Sequence, residues 1–121
     1  MLVGLRTVIY PTTDVVAAKA WYTKLLEAEP YFDQPFYVGF SVGGFELGLL
    51  PDGEPSTAGV QAYWAVADVD AAFRRALDLG AKEIEPVTDV GGDIRVASVA
   101  DPFGNRLGLI QNPHFDTAAV R

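Results

Sequence analysis

One arrangement is written twice along this chain. The stretch Phe45 to Gly53 reads FELGLLPDG and Arg106 to Pro113 reads RLGLIQNP, so Leu47-Gly48-Leu49 returns as Leu107-Gly108-Leu109. Ahead of each, an aspartate introduces a helical pattern: Asp14 before VVAAKAWYTKLL and Asp68 before VDAAFRRALDLGA. Aspartate at such a point caps the free amides of a first helical turn. In the first copy Val15, Ala18, Trp21, Tyr22, Leu25 and Leu26 fall on one helical stripe. A period of 54 to 60 residues in only two copies is too long and too few for a solenoid. It predicts an α+β fold: two βαβββ modules, over about residues 2–52 and 58–112, pairing curved mixed sheets around a central groove within a single domain spanning 1–121.

The elements follow from local signals. Leu2 to Tyr10 is apolar and β-branched and reads as a strand ended by Pro11. A short strand is expected at Pro30 to Phe32, then FYVGFSV, a tight hairpin at Gly43-Gly44, and FELGLL. PDGEPSTAG reads as a linker. In the second copy VQAYWAVAD runs into the helix, Gly80 closes that helix, KEIEPV and IRVASV are strands, and DPFGN turns into RLGLIQN. The tail from Phe115 to Arg121 is expected to be loosely held.

Charge and residue counts remove whole classes of function. A net charge of −7 with nine scattered Lys and Arg works against nucleic-acid binding, which needs a basic face. With no cysteine, disulfides, thiolate metal sites and a cysteine nucleophile are excluded, and His114 is the one histidine. No apolar run is long enough to span a membrane and no signal-peptide pattern follows Met1, so a soluble, cytoplasmic protein is expected.

The chain resembles the vicinal oxygen chelate superfamily of glyoxalases, extradiol dioxygenases and bleomycin-resistance proteins. The resemblance is carried by Asp14 with Trp21-Tyr22 and Leu25-Leu26, by ADVDAAFRRALDLGA, and by DPFGNRLGLIQ, and it covers nearly the whole chain. Glu27 departs from it, standing where the family usually has a helix-ending glycine. Metal-dependent members are expected to hold a divalent ion with residues from the first and last strand of each module. Those positions carry over to Thr7, Gly48, Gln61 and Gly108, and of these only Gln61 is a ligand by type. Glycine thus stands twice where the resemblance would place a carboxylate. The resemblance implies a metal-independent protein with no cofactor, a homodimer similar to the bleomycin-resistance branch, which sequesters a small molecule. The alternative is an enzyme, a lactoylglutathione-lyase-like isomerase or a dioxygenase with a nonstandard site.

Alternation along the strands assigns Thr7, Ile9, Glu46, Leu50, Gln61, Tyr63, Arg106 and Ile110 to the groove, and Val8, Leu47, Trp64 and Leu107 to the helix side. Gly48 and Gly108 either leave room for a flat ligand or mark sharp curvature of the sheets. Tyr63 and Tyr37 stack on an aromatic ligand or simply pack, and Glu46 pairs with a cationic one. Arg95 and Arg106 bind a carboxylate or phosphate, or pair with a neighbouring acid such as Asp93 or Asp101. His114, just after the last strand, is expected to be exposed or at a rim.

Overall fold

A computed structural model describes residues 1–119, which divide into two compact units, Met1–Pro55 and a second from Ser56 onward. In the first unit the order is β1 (Thr7–Thr12), α1 (Val15–Leu26), β2 (Phe32–Gln34), β3 (Tyr37–Val42) and β4 (Phe45–Pro51). They form one mixed sheet in the order β1-β4-β3-β2, with β1 parallel to β4 and the other pairs antiparallel. The second unit repeats this as β5 (Tyr63–Ala65), α2 (Val69–Asp78), β6 (Lys82–Gly91), β7 (Ile94–Ala100) and β8 (Arg106–Gln111), in the order β5-β8-β7-β6. The duplicated βαβββ pattern is therefore real at the level of hydrogen-bonded topology.

Both helices start where the sequence places them. The Asp14 carboxylate accepts from the amide of Ala17 at 3.0 Å, and Asp68 from that of Ala71 at 3.1 Å. Each helix covers one face of its own sheet. Ala18, Trp21 and Tyr22 of α1 are buried with Val38, Phe40, Leu47 and Leu49. In the second unit Val69 forms a core with Ala97 and Leu109, joined by Trp64 and Phe73. Strand alternation sends the remaining side chains to the face of each sheet turned away from its own helix.

Several boundaries differ from the sequence reading. The first strand begins at Thr7, and Met1 to Arg6 precede it without regular structure; Leu2 is 97% exposed. Pro11 lies inside β1, opposite Leu50, and does not end it. It is tolerated because β1 is an edge strand, so its missing amide interrupts no second ladder. The short strand sits two residues later than expected, at Phe32–Gln34, where it pairs with β3. β5 is only three residues long, which leaves Gln61 just before it. β6 runs ten residues, through Pro86, with irregular register on either side of Glu85. The Gly43-Gly44 hairpin is as expected, with φ of 58° and 88°. Beyond β8, Thr117–Ala119 forms one 3-10 turn, and the last two residues of the tail lie outside the described residues.

Candidate functional site

On the face of the first sheet turned away from α1, Gly39 of β3 lies directly opposite Gly48 of β4. This glycine pair is a floor. A Cβ on Gly48 would fall 2.6 Å from Cζ of Tyr37, and one on Gly39 would fall 2.8 Å from Oε2 of Glu46 and 3.1 Å from the Tyr31 ring. Atoms do not approach so closely, so the missing side chains are what admits two tyrosines and a glutamate against the backbone. The Glu46 carboxylate accepts three hydrogen bonds on this floor. Tyr37 donates to Oε1 at 3.0 Å, Thr7 Oγ1 donates to Oε1 at 3.1 Å, and Tyr31 donates to Oε2.

The electrostatics follow from those bonds. The Tyr31 hydrogen bond, helped by those of Tyr37 and Thr7 and opposed by burial, holds the Glu46 carboxyl below its ordinary range. Burial, then the bond to Glu46, pushes the Tyr37 phenol up to about 12, and Tyr31 is raised chiefly by its bond to Glu46. A carboxylate so stabilised is a weak base and a phenol so raised is a weak acid. At neutral pH the cluster is built to hold a charge, not to relay a proton. All three donors are neutral hydroxyls, so they leave the negative charge in place. Tyr37 also belongs to an aromatic cluster: Phe32 lies 6.0 Å from Phe36 and 6.1 Å from Tyr37, all three on or beside β2 and β3. An open depression of about 410 Å³ adjoins the carboxylate, lined by Arg6, Tyr31, Ser41, Gly44, Phe45 and Glu46. The Arg6 guanidinium lies 5.9 Å from the centre of the Phe45 ring at its edge.

The second sheet treats its glycine similarly. Tyr63 sits opposite Gly108, and a Cβ there would fall 2.8 Å from the Tyr63 ring and 2.5 Å from the Ala62 carbonyl oxygen. Neither glycine leaves empty volume. In both sheets the volume is taken by a tyrosine of the chain itself, which neither sequence-based reading of the glycines anticipated.

Of the expected site residues, the structure brings together Thr7, Tyr37, Glu46 and Gly48 in the first unit. It places Tyr63, Arg106 and Gly108 on one face in the second, with Gln61 accepting from the Tyr63 hydroxyl at 3.4 Å. Arg95 stands apart from them. It reaches the first turn of α2 and holds Asp70 by two hydrogen bonds, at 2.6 and 3.3 Å, which lowers the Asp70 carboxyl. Arg106 pairs with Glu85. The partners expected for these arginines are otherwise engaged or placed: Asp101 is buried and its carboxylate accepts from the amides of Phe103 and Asn105, holding the DPFGN turn. His114 is exposed, as expected, and its Nε2 lies 2.8 Å from the Gly92 carbonyl. Sequence reasoning missed Tyr31, which reaches Glu46 across 15 residues, and no pattern in the sequence signals that contact.

These positions bear on the divalent ion that metal-dependent members of the resembled family are expected to hold. Thr7 Oγ1 is committed to Glu46, the glycines have no donor atom and are covered by tyrosines, and Gln61 alone has a ligating side chain. Among the described residues no three of His, Cys, Asp and Glu converge. This donor set does not fit a divalent metal centre of that kind.

Known proteins share this architecture. The structure of a glyoxalase-related enzyme from Fulvimarina pelagi superposes with a TM-score of 0.77 at 17% identity, over 93% of this chain and 90% of that one. A bleomycin resistance determinant encoded on the transposon Tn5 does so with a TM-score of 0.71 at 21% identity, over 91% and 98%. In sequence, the chain is 32% identical over 123 residues to the Mycobacterium tuberculosis protein named "Putative glyoxylase CFP32", a match covering 90% of this chain and 46% of that protein. The chain thus spans about half the length of that curated relative. Among the described residues no helix is long and apolar enough to cross a membrane. A family model covering glyoxalases, bleomycin-resistance proteins and dioxygenases matches residues 4–109, and the chain belongs to that Glyoxalase/Bleomycin resistance protein/Dioxygenase superfamily.

Proposed function

We propose that this protein binds a small organic cation with an aromatic or apolar body on the open face of its first sheet, without a metal, and acts by sequestering it. The observation that carries this is the Glu46 carboxylate, held ionised by three neutral hydroxyls among aromatic side chains. A protonated amine pairs with the Glu46 charge, and the rings of Tyr31, Tyr37 and Phe45 supply faces for its body. The count of acceptors narrows the ligand further. A carboxylate offers about four lone-pair positions and three are filled, so about one remains, on Oε2. A single N–H donor fits there, as in a tertiary ammonium, better than the two-pronged guanidinium. Dimerisation through a second copy and a cytoplasmic location belong to the same reading and rest on the family.

The test is thermal stabilisation by arylalkyl amines, graded from primary to quaternary, with uncharged arenes and benzoate as controls. Protonated amines should raise the melting temperature, and Glu46→Gln should weaken the response at least about tenfold, since the amide keeps shape and loses charge. Equal stabilisation by toluene, or an unaltered response in the variant, would sink the proposal. Native mass spectrometry of the protein as purified reads subunit stoichiometry, bound organic mass and any metal together. A stoichiometric divalent ion there would favour the enzyme reading suggested by the name of the mycobacterial relative.

A further inference from the structure

The second sheet has an unsettled polar atom. Ser98 of β7 is 1% exposed, and its Oγ has no hydrogen-bond partner among the described residues. A buried hydroxyl left unpaired is costly, and chains retain one where something else completes it. Ser98 points away from α2, because its neighbours Ala97 and Val99 are the buried residues on the helix side and its cross-strand partner is Gly108. Its partner on the other side is Glu85 of β6. Arg106, two residues before Gly108, shares this face and forms an ion pair with Glu85. Since β7 lies between β6 and β8, those two side chains meet above it, in the region of Ser98.

The pair is lopsided. The Arg106 side chain is 14% exposed and that of Glu85 is 51% exposed. Glu85 is paired with Ser98 between two register irregularities of β6, which bend the strand on either side of it. The cation is largely covered by the sheet, and the anion is half exposed on its edge strand.

We propose that this face is a carboxylate-binding site in which Glu85 occupies the ligand's place. A small carboxylate displaces Glu85 from Arg106, accepts a hydrogen bond from Ser98 Oγ, and lays its body against the Tyr63 ring that covers Gly108. The guanidinium presents two parallel N–H groups to a planar carboxylate, and the serine hydroxyl supplies a third donor. This site is independent of Glu46: it selects the opposite charge and rests on different residues.

The experiment follows the Arg106 Nε–H resonance by NMR during titration with sodium benzoate, against equal sodium chloride, in the wild type and in Glu85→Gln. Removing the resident carboxylate should tighten benzoate binding by about tenfold or more, and adding Ser98→Ala to that variant should weaken it severalfold. Equal affinity in wild type and Glu85→Gln would overturn the displacement. A benzoate response no larger than that of chloride would overturn the site, leaving Ser98 with water alone. A tighter response to inorganic phosphate than to benzoate would overturn the assignment to carboxylates. Should Glu85→Gln fail to fold, the wild-type comparison of benzoate with chloride decides the matter, and Ser98→Ala in the wild-type background gives the second reading.

Discussion

At equivalent places on its two sheets this chain carries opposite charges. Glu46 stands two residues before Gly48, and Arg106 two before Gly108. The position opposite the strand glycine is Gly39 in one sheet and Ser98 in the other. The parallel neighbour of that glycine is Ile9 in one and Tyr63 in the other. In the first sheet the ring over the glycine comes from β3, as Tyr37; in the second it comes from β5, as Tyr63. The same backbone plan thus supports a carboxylate ringed by hydroxyls and a guanidinium paired with an exposed acid. What the duplication preserves is the glycine and the ring over it, and what it varies is the charge beside them.

The comparison breaks first at the glycines. An alanine at Gly108 would put its methyl 2.5 Å from the Ala62 carbonyl, a backbone atom that cannot swing aside, so Gly108→Ala should cost about 3 kcal/mol. At Gly48 the obstacle is the outer end of the Tyr37 side chain, which can turn away at the expense of its bond to Glu46. Gly48→Ala should therefore cost less, about 1 to 2 kcal/mol. Urea denaturation of both variants measures the difference. Equal losses would mean that the two tyrosines are not held as differently as their strands imply.

A second measurement sharpens the contrast in charge. Tyr37 is neutral when folded up to about pH 12, whereas an unfolded tyrosine ionises near its ordinary value of 10.0. A raised folded pKa gives stability that is complete below the unfolded value and is lost as pH rises through the folded one. Stability should therefore decline between about pH 10 and 12. Glu46, shifted down, gives stability present above the ordinary glutamate range and lost as pH falls through its lowered folded value. Absorbance titration of the phenolates should show a late component near pH 12 in the wild type that is lost in Tyr37→Phe, while Tyr31 keeps a raised value of its own. In Glu46→Gln that transition should move toward lower pH, because the bond and the charge that oppose ionisation are weakened.

How far the sequence reveals this arrangement depends on the range of the interaction. The caps at Asp14 and Asp68, the Gly43-Gly44 turn and the two helices are legible because each is decided within a few residues. The face shared by Glu46 and Gly48 is legible from strand alternation alone. The extent of β1 is not, since Pro11 ends a strand only if an inner ladder needs its amide, and edge position is a property of the assembled sheet. Tyr31 meeting Glu46, Arg95 meeting Asp70 across 25 residues, and Arg106 meeting Glu85 across 21 all depend on how strands and helices are brought together. Sequence spacing carries no record of that. The glycines were recognisable as unusual, but their purpose required seeing which side chain filled the space.

The smallest expected effect lies at the helix ends, where the two modules part again. Helix α2 is followed by Gly80 at φ 107°, which glycine adopts freely. Helix α1 ends at Glu27, whose φ of 54° is left-handed, at the position where the family resemblance expects glycine. A side chain in that conformation costs roughly 1 to 2 kcal/mol from the crowding of Cβ against the following carbonyl. Glycine removes this crowding and adds freedom to the unfolded chain, which returns part of the gain. The backbone contribution of Glu27→Gly should therefore be stabilising by about 0.5 to 1 kcal/mol, while that of Gly80→Ala should be destabilising, the two contributions having opposite sign in the same denaturation assay. If Glu27→Gly destabilises instead, the glutamate side chain contributes an interaction at the end of α1 that outweighs its backbone strain, and the helix ends differ by design of contacts as well as by backbone.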